Sequence, residues 1–222
     1  MRALDYLHLQ LRLEGMEVVN GSFLRQVEVV PGEELPILLI AQPAEAATVV
    51  YYHEAISPDL QQDLSVHVPA MGFPPIDPFI EVLRSYNLDV QVGHYKTYLF
   101  PSQPRSQNDV VCLSKDDPAI KAFGFDGFAD NVYAIKSNGV VVSACVSARE
   151  NSGCGEAWVY TSPEQRGQGL AQQVVRAWAA GLTEAGKVPF YSHKMENTVS
   201  AALAAKLGLR PVFEEIAIAS QV

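Results

Sequence analysis

The chain has 222 residues, 48% of them hydrophobic, and a formal net charge of −9. That length and apolar content supply a core for one large or two small domains. The acidic balance excludes ordinary nucleic-acid binding, which needs clustered Lys and Arg to neutralise phosphates, and no apolar run approaches the ~20 residues that span a bilayer.

An acidic surface leans toward a cationic amine as small-molecule partner. The start at Met1, Arg2 and Ala3 lacks a signal-peptide core. The odd set Cys112, Cys145 and Cys154 has no C-x-x-C spacing, so a reducing cytoplasm is expected, with all three thiols packed as small apolar groups. His8, His53, His67 and His94 are scattered without metal-ligand spacing, and no metal is expected. The oligomeric state stays open, a homodimer included.

In chain order, residues 36–40 and 48–52 are short apolar runs suited to strands. Ser57 before Pro58 and Asp77 before Pro78 each place a capping side chain ahead of a helix-starting proline. After Asp77, the spacing of Phe79, Val82, Leu83 and Tyr86 predicts a one-faced helix ending near Asn87. Residues 90–100 read as extended, and the polar, proline-bearing stretch 101–108 reads as a linker. The expected division is therefore an N-terminal α/β region over 1–105, of unknown role, and a second region over 106–222.

The second region opens with Asp116, Asp117 and Pro118, a capped start for a short helix, followed by the aromatic run Phe123, Phe125 and Phe128. Asn138 and Gly139 tolerate positive φ and sit between apolar runs at 132–136 and 140–148, a strong hairpin signal. Residues 156–162 form the next strand, which Pro163 cannot extend. Trp158 in that strand and Trp178 beyond it are expected in the core. Then Arg166, Gly167, Gln168 and Gly169 run straight into Leu170 and Ala171. Two glycines one residue apart let backbone N–H groups converge, and the following helix adds unpaired amides and the positive end of its dipole, a site suited to a pyrophosphate. Leu170, Val174, Trp178 and Leu182 recur every four residues, giving that helix one buried face.

At Arg166, Gly169 and Ala171 the chain resembles the GNAT superfamily of acyl-CoA-dependent N-acyltransferases, whose signature Gln/Arg-x-x-Gly-x-Gly/Ala joins a fourth strand to a third helix. The stretch 189–197, then Ser200 and 203–209, is similar to the family's fifth strand, its cofactor-contacting Asn at Asn197 and its fourth helix. The resemblance covers roughly 108–222. It implies an α/β (α+β) fold: a mixed, mostly antiparallel sheet with helices on both faces, splayed between the fourth and fifth strands, here preceded by an N-terminal α/β extension. It also implies acetyl-CoA as co-substrate and an amine as acceptor, with the region around 116–128 shaping the acceptor pocket.

Amide formation needs an uncharged amine, a held thioester and a donor for the oxyanion. Glu156, a carboxylate at the start of the fourth strand where the family commonly has Glu, is the candidate base, acting through water. Arg166, Gly167, Gln168, Gly169, Leu170 and Ala171 are expected to hold the pyrophosphate, with Asn197 and Ser200 as further cofactor contacts. The resemblance implies a strand bulge at Val159, Tyr160 and Thr161 that frees a backbone N–H for the oxyanion. The sequence departs from the family at Ala204, where a Tyr commonly protonates the leaving thiolate; Tyr191, His193 and Ser200 are the substitutes in reach, and Tyr191 is the chosen candidate. The expected activity is transfer of an acetyl group from acetyl-CoA to a small or amino-acid-like primary amine. A protein-amine acetyltransferase and a non-catalytic acyl-CoA-sensing module are the alternatives.

Overall fold

A computed structural model describes residues 1–29, 35–69, 72–101, 109–128 and 130–220. The core of the expected linker, 102–108, lies outside them. In chain order the elements are α1 (Ala3–Leu13), β1 (Met16–Val19), β2 (Phe23–Gln26), β3 (Leu38–Pro43), β4 (Val49–His53), α2 (Pro58–Ser65), α3 (Asp77–Ser85), β5 (Val90–Leu99), β6 (Val111–Leu113), α4 (Pro118–Phe123), β7 (Val132–Ser137), β8 (Val140–Glu150), β9 (Cys154–Thr161), a 3-10 turn (Pro163–Gln165), α5 (Leu170–Glu184), β10 (Val188–Lys194), α6 (Thr198–Leu207) and β11 (Arg210–Ser220). They group into two compact units, Met1–Thr97 with Pro211–Val222, and Tyr98–Arg210. The final strand is thus grouped with the N-terminal elements.

In the first unit the strand order is β1-β2-β4-β3-β11-β5. The pairs β1/β2, β4/β3 and β3/β11 are antiparallel, and the pair of β2 and β4 is parallel. Alternation along the strands sends Leu38, Ile40, Tyr52, Ile216 and Ile218 to one face, where they bury Leu60 and Leu64 of α2 and Phe79 and Leu83 of α3. Ser57 caps α2 by accepting from the Leu60 N–H at 3.3 Å. Asp77 makes no such bond: it lies inside the first turn of α3, and Ile76 occupies the N-cap. Helix α1 and the β1/β2 hairpin were not anticipated. Their signals are short, the hairpin strands having only four residues each. Glu215, a carboxylate on β11, is buried at 6% exposure.

In the second unit the order is β10-β9-β8-β7-β6, antiparallel apart from the β9/β10 pair. The β7/β8 hairpin turns on Asn138 (φ 51°) and Gly139 (φ 81°), the left-handed pair that the sequence demanded. Val132 and Ala134 point to the face covered by Ile120 of α4 and by Phe125. Tyr133 and Ile135 point to the opposite face, against Val174, Trp178 and Leu182 of α5 and Ala204 of α6. Helices therefore cover both faces. Cys145 and Cys154 are buried as expected, whereas Cys112, on β6, is exposed.

The seating of α5 depends on a missing side chain. A Cβ on Gly181 would stand 1.8 Å from the Tyr133 hydroxyl and 2.7 Å from its ring Cζ. Helix propensity alone favours Ala over Gly by ~1 kcal/mol, but overpacking costs ~1–3 kcal/mol, so the sign is set by the clash. Gly181→Ala is expected to lower the melting temperature by about 2–6 °C in a thermal scan. A higher melting temperature would show that Tyr133 yields freely.

Candidate active site

The β9/β10 ladder runs from the pair Cys154 and Val188 to the pair Glu156 and Phe190, while β9 continues to Thr161 and β10 to Lys194. Beyond Glu156 the two strands part. Ser162 donates to the Val142 carbonyl at 2.9 Å, in register with the β8/β9 ladder. Antiparallel alternation then turns the N–H groups of Tyr160 and Trp158 toward β8, and those of Val159 and Thr161 toward the gap. The β8/β9 register is regular from Thr161 to Ala157 and shifts only between Ser147 and Arg149. The anticipated bulge at 159–161 is therefore not in this ladder; the parting of β9 from β10 turns those amides outward instead.

At the end of β9 the 3-10 turn leads into the glycine loop. Gly167 (φ 80°) and Gly169 (φ 78°) are both left-handed, and Gly169 is the N-cap of α5 with no side chain capping that helix. A Cβ on either glycine would meet nothing within 4 Å, and no side chain accepts from the N-terminal amides of α5 at its cap. Arg166 is exposed; its Nε donates to the Thr161 carbonyl at 3.2 Å and its guanidinium lies 5.8 Å from the Tyr160 ring centroid. Gln168 donates to Gln165 at 3.1 Å. Both side chains lie along the loop that the sequence assigned to an anion.

Across the gap, Asn197 is the N-cap of α6, its Oδ1 accepting from the Ser200 N–H at 3.0 Å. The Ser200 carbonyl accepts from the Tyr191 hydroxyl at 3.4 Å. Tyr191 is 3% exposed, and burial pushes its phenol up to about 12. It shares a cluster with Ala204, itself 1% exposed, so there is no room for a larger side chain at 204 without repacking. Beside Tyr191 lies a pair absent from the sequence expectations. His193 Nδ1 is 2.8 Å from the Lys194 carbonyl, which can only accept, so Nδ1 carries a proton, and Nε2 lies 3.2 Å from the Tyr98 hydroxyl. Their separation in sequence hides this pair from any local pattern.

Glu156 is 7% exposed and ion-paired with Arg149, whose Nε lies 3.1 Å from Oε2 and whose Nη2 contacts the same oxygen. Alternation places Glu156, Trp158 and Tyr160 on the α4 face of β9, and Ala157 and Val159 on the α5 face. Tyr191 also lies on the α5 face, so the two candidate catalytic side chains approach the parting of β9 and β10 from opposite sides of the sheet. Trp158, expected in the core, is 49% exposed and stacks on Phe128. Its neighbours on the strand face are the carboxylate and another half-bare ring, a pattern legible in the spacing 156, 158, 160 once the face is known. Among the described residues, no group of three or more His, Cys, Asp or Glu side chains is placed to hold a metal, and no helix is long and apolar enough to cross a membrane.

Residues 127–216 match the family model described as GNAT acetyltransferase. An uncharacterized N-acetyltransferase of Bacillus subtilis (strain 168), YdfB, is 36% identical over 96 residues, covering 43% of this chain and 36% of its own length. The chain thus spans about a third of the curated relative that it matches. Among solved structures, a GNAT-family acetyltransferase from Colwellia psychrerythraea superimposes with a TM-score of 0.51 at 9% identity, over 78% of this chain and 76% of that one. A tandem GNAT protein from the clavulanic acid biosynthesis pathway gives 0.50 at 10% identity, over 99% and 97%. Likeness at such identities establishes the fold.

Proposed function

We propose that this chain, whose residues 127–216 match the GNAT acetyltransferase family model, is an N-acetyltransferase moving an acetyl group from acetyl-CoA to a primary amine of a small or amino-acid-like acceptor. The observation that carries this reading is the parting of β9 from β10 beside a left-handed glycine loop that opens α5. When bound, acetyl-CoA supplies a thioester carbonyl open to attack by an amine. Gly167, Gln168, Gly169, Leu170 and Ala171 present backbone amides to a pyrophosphate, and Arg166 adds positive charge. Asn197 and Ser200, at the start of α6, are proposed as further contacts. The outward N–H of Val159, with Tyr160 and Thr161 holding the strand edge, is a donor for a carbonyl oxygen gaining negative charge.

Glu156 takes the proton from the ammonium, directly or through water, and Arg149 orients its carboxylate. Tyr191, with its phenol pushed up to about 12, holds its proton too tightly to give it fully to a thiolate whose thiol titrates near ~8.5. Its proposed role is hydrogen-bond donation to the departing sulfur, the hydroxyl exchanging its long 3.4 Å bond to the Ser200 carbonyl for that acceptor. The three free cysteines suit a cytoplasmic setting. All of these residues lie within Tyr98–Arg210, so the chemistry is assigned to the second region.

The test is calorimetric titration with acetyl-CoA followed by thiol release over a panel of amines. Saturable binding with turnover on a small amine is expected. Turnover only on peptide or protein amines redirects the acceptor assignment. Binding without turnover on any amine favours an acyl-CoA sensor, the reading to which the buried Ala204 gives weight.

A further inference from the structure

We propose that Trp158 and Tyr160 form an acceptor wall that selects a primary amine joined by a short saturated chain to an aromatic ring, a substrate class that rests on the transfer reading above. In the same unit, rings that only fill space are covered: Trp178 is 1% exposed and Phe125 3%. Trp158 at 49% and Tyr160 at 41% are not. They belong to one continuous run of rings. Trp158 stacks on Phe128 (centroids 5.7 Å apart, planes 22° apart), Phe128 tilts against Phe125 at 5.5 Å, Phe125 against Phe123 at 5.2 Å, and Phe123 against Tyr160 at 5.6 Å. Phe125 is the buried base of the run, and the strand members keep surface bare on the face that carries Glu156.

The spacing sets the ligand. Same-face residues on a strand repeat every ~6.4–6.8 Å, so a nitrogen held by Glu156 at a hydrogen-bond distance of ~3 Å carries its substituent past Trp158 after two or three bonds. A flat ring at that distance stacks where an alkyl chain only touches. The carboxylate of Glu156 complements the ammonium. Its partner Arg149 is the complement for a carboxylate on the same carbon, so arylalkylamines and aromatic amino acids share the recognised chemistry.

Two readouts test the wall, with phenethylamine, phenylalanine and ethanolamine as probes and the chain saturated with acetyl-CoA. Saturation-transfer NMR is expected to show the aryl ring protons bound to the wild-type chain and released in Trp158→Ala. In thiol release, kcat/KM for the preferred aryl probe should exceed that for ethanolamine by roughly 10- to 100-fold. Trp158→Ala should shrink that ratio about tenfold through KM, and Trp158→Phe should restore most of it. A preference for phenylalanine over phenethylamine assigns the second charge to Arg149; the reverse assigns the amine alone. Ring binding lost in Trp158→Ala without turnover on any probe upholds the wall and overturns the transfer reading. Turnover with equal efficiency on ethanolamine and the aryl probes, unchanged in Trp158→Ala, overturns the wall and upholds transfer.

Discussion

Glu156→Gln is expected to lower acetyl transfer at neutral pH by about 10²–10⁴-fold while leaving acetyl-CoA affinity within a few-fold of the parent chain. Gln keeps the volume and offers Arg149 an acceptor oxygen, so the packing at this 7%-exposed position survives. It cannot take a proton. The competing account makes Glu156 only the partner of Arg149, and breaking a buried pair outright costs ~3–5 kcal/mol, so the melting temperature is measured beside the rate. The pH profile separates the two accounts. An acceptor amine titrating near ~10 is protonated at neutral pH and increasingly neutral as pH rises. The deficit of a variant lacking its base therefore shrinks toward high pH, whereas a deficit caused by misplaced structure persists. Parent-like rates from pH 7 to 10 would place the base elsewhere.

Gly169→Val is expected to weaken acetyl-CoA binding at least ~100-fold, equivalent to about 2.7 kcal/mol. Gly169 is left-handed at φ 78°, and the space in front of its missing Cβ is open within the protein. A valine there meets no neighbour, but it strains the backbone by ~1–3 kcal/mol and puts two methyl groups before the first-turn amides of α5. Strain alone also lowers stability, so a matched control is needed. Gly186, just past the C-terminal end of the same helix, has φ 75° and equally open space around its Cβ. Gly186→Val should lower the melting temperature by a similar few degrees while leaving affinity intact. Equal affinity in Gly169→Val and the parent would remove the loop from the cofactor site.

The parts of this molecule legible in its sequence are those governed by neighbours in the chain. Asn138 and Gly139 had to turn a hairpin because both needed positive φ. Ser57 capped α2, Gly169 opened α5, and the four-residue spacing of Val174, Trp178 and Leu182 placed them in one buried cluster. Asp77 slipped by one position because Asp, Pro and the residue before them compete for the same cap, and only the entry direction of the chain decides among them. Residue type alone places Cys112 in the interior, but β6 is a three-residue edge strand that leaves it exposed.

Trp158 marks the boundary between the two kinds of information. Its alternation with Glu156 and Tyr160 is written in the chain, since side chains on a strand repeat every second residue. Which of the two faces received a full helical cover was not. That depended on α5 and α6 packing over Ala157 and Val159, while the short α4 and its aromatic loop left Trp158 half bare. The glycine loop, its adjoining helix and the candidate base were thus determined locally, by backbone torsion, dipole and residue chemistry. The pairing of Glu156 with Arg149, the meeting of His193 with Tyr98, and the parting of β9 from β10 were decided by tertiary structure. Each joins separate segments or strands, and such meetings follow from strand register and packed faces rather than from the order of residues along the chain.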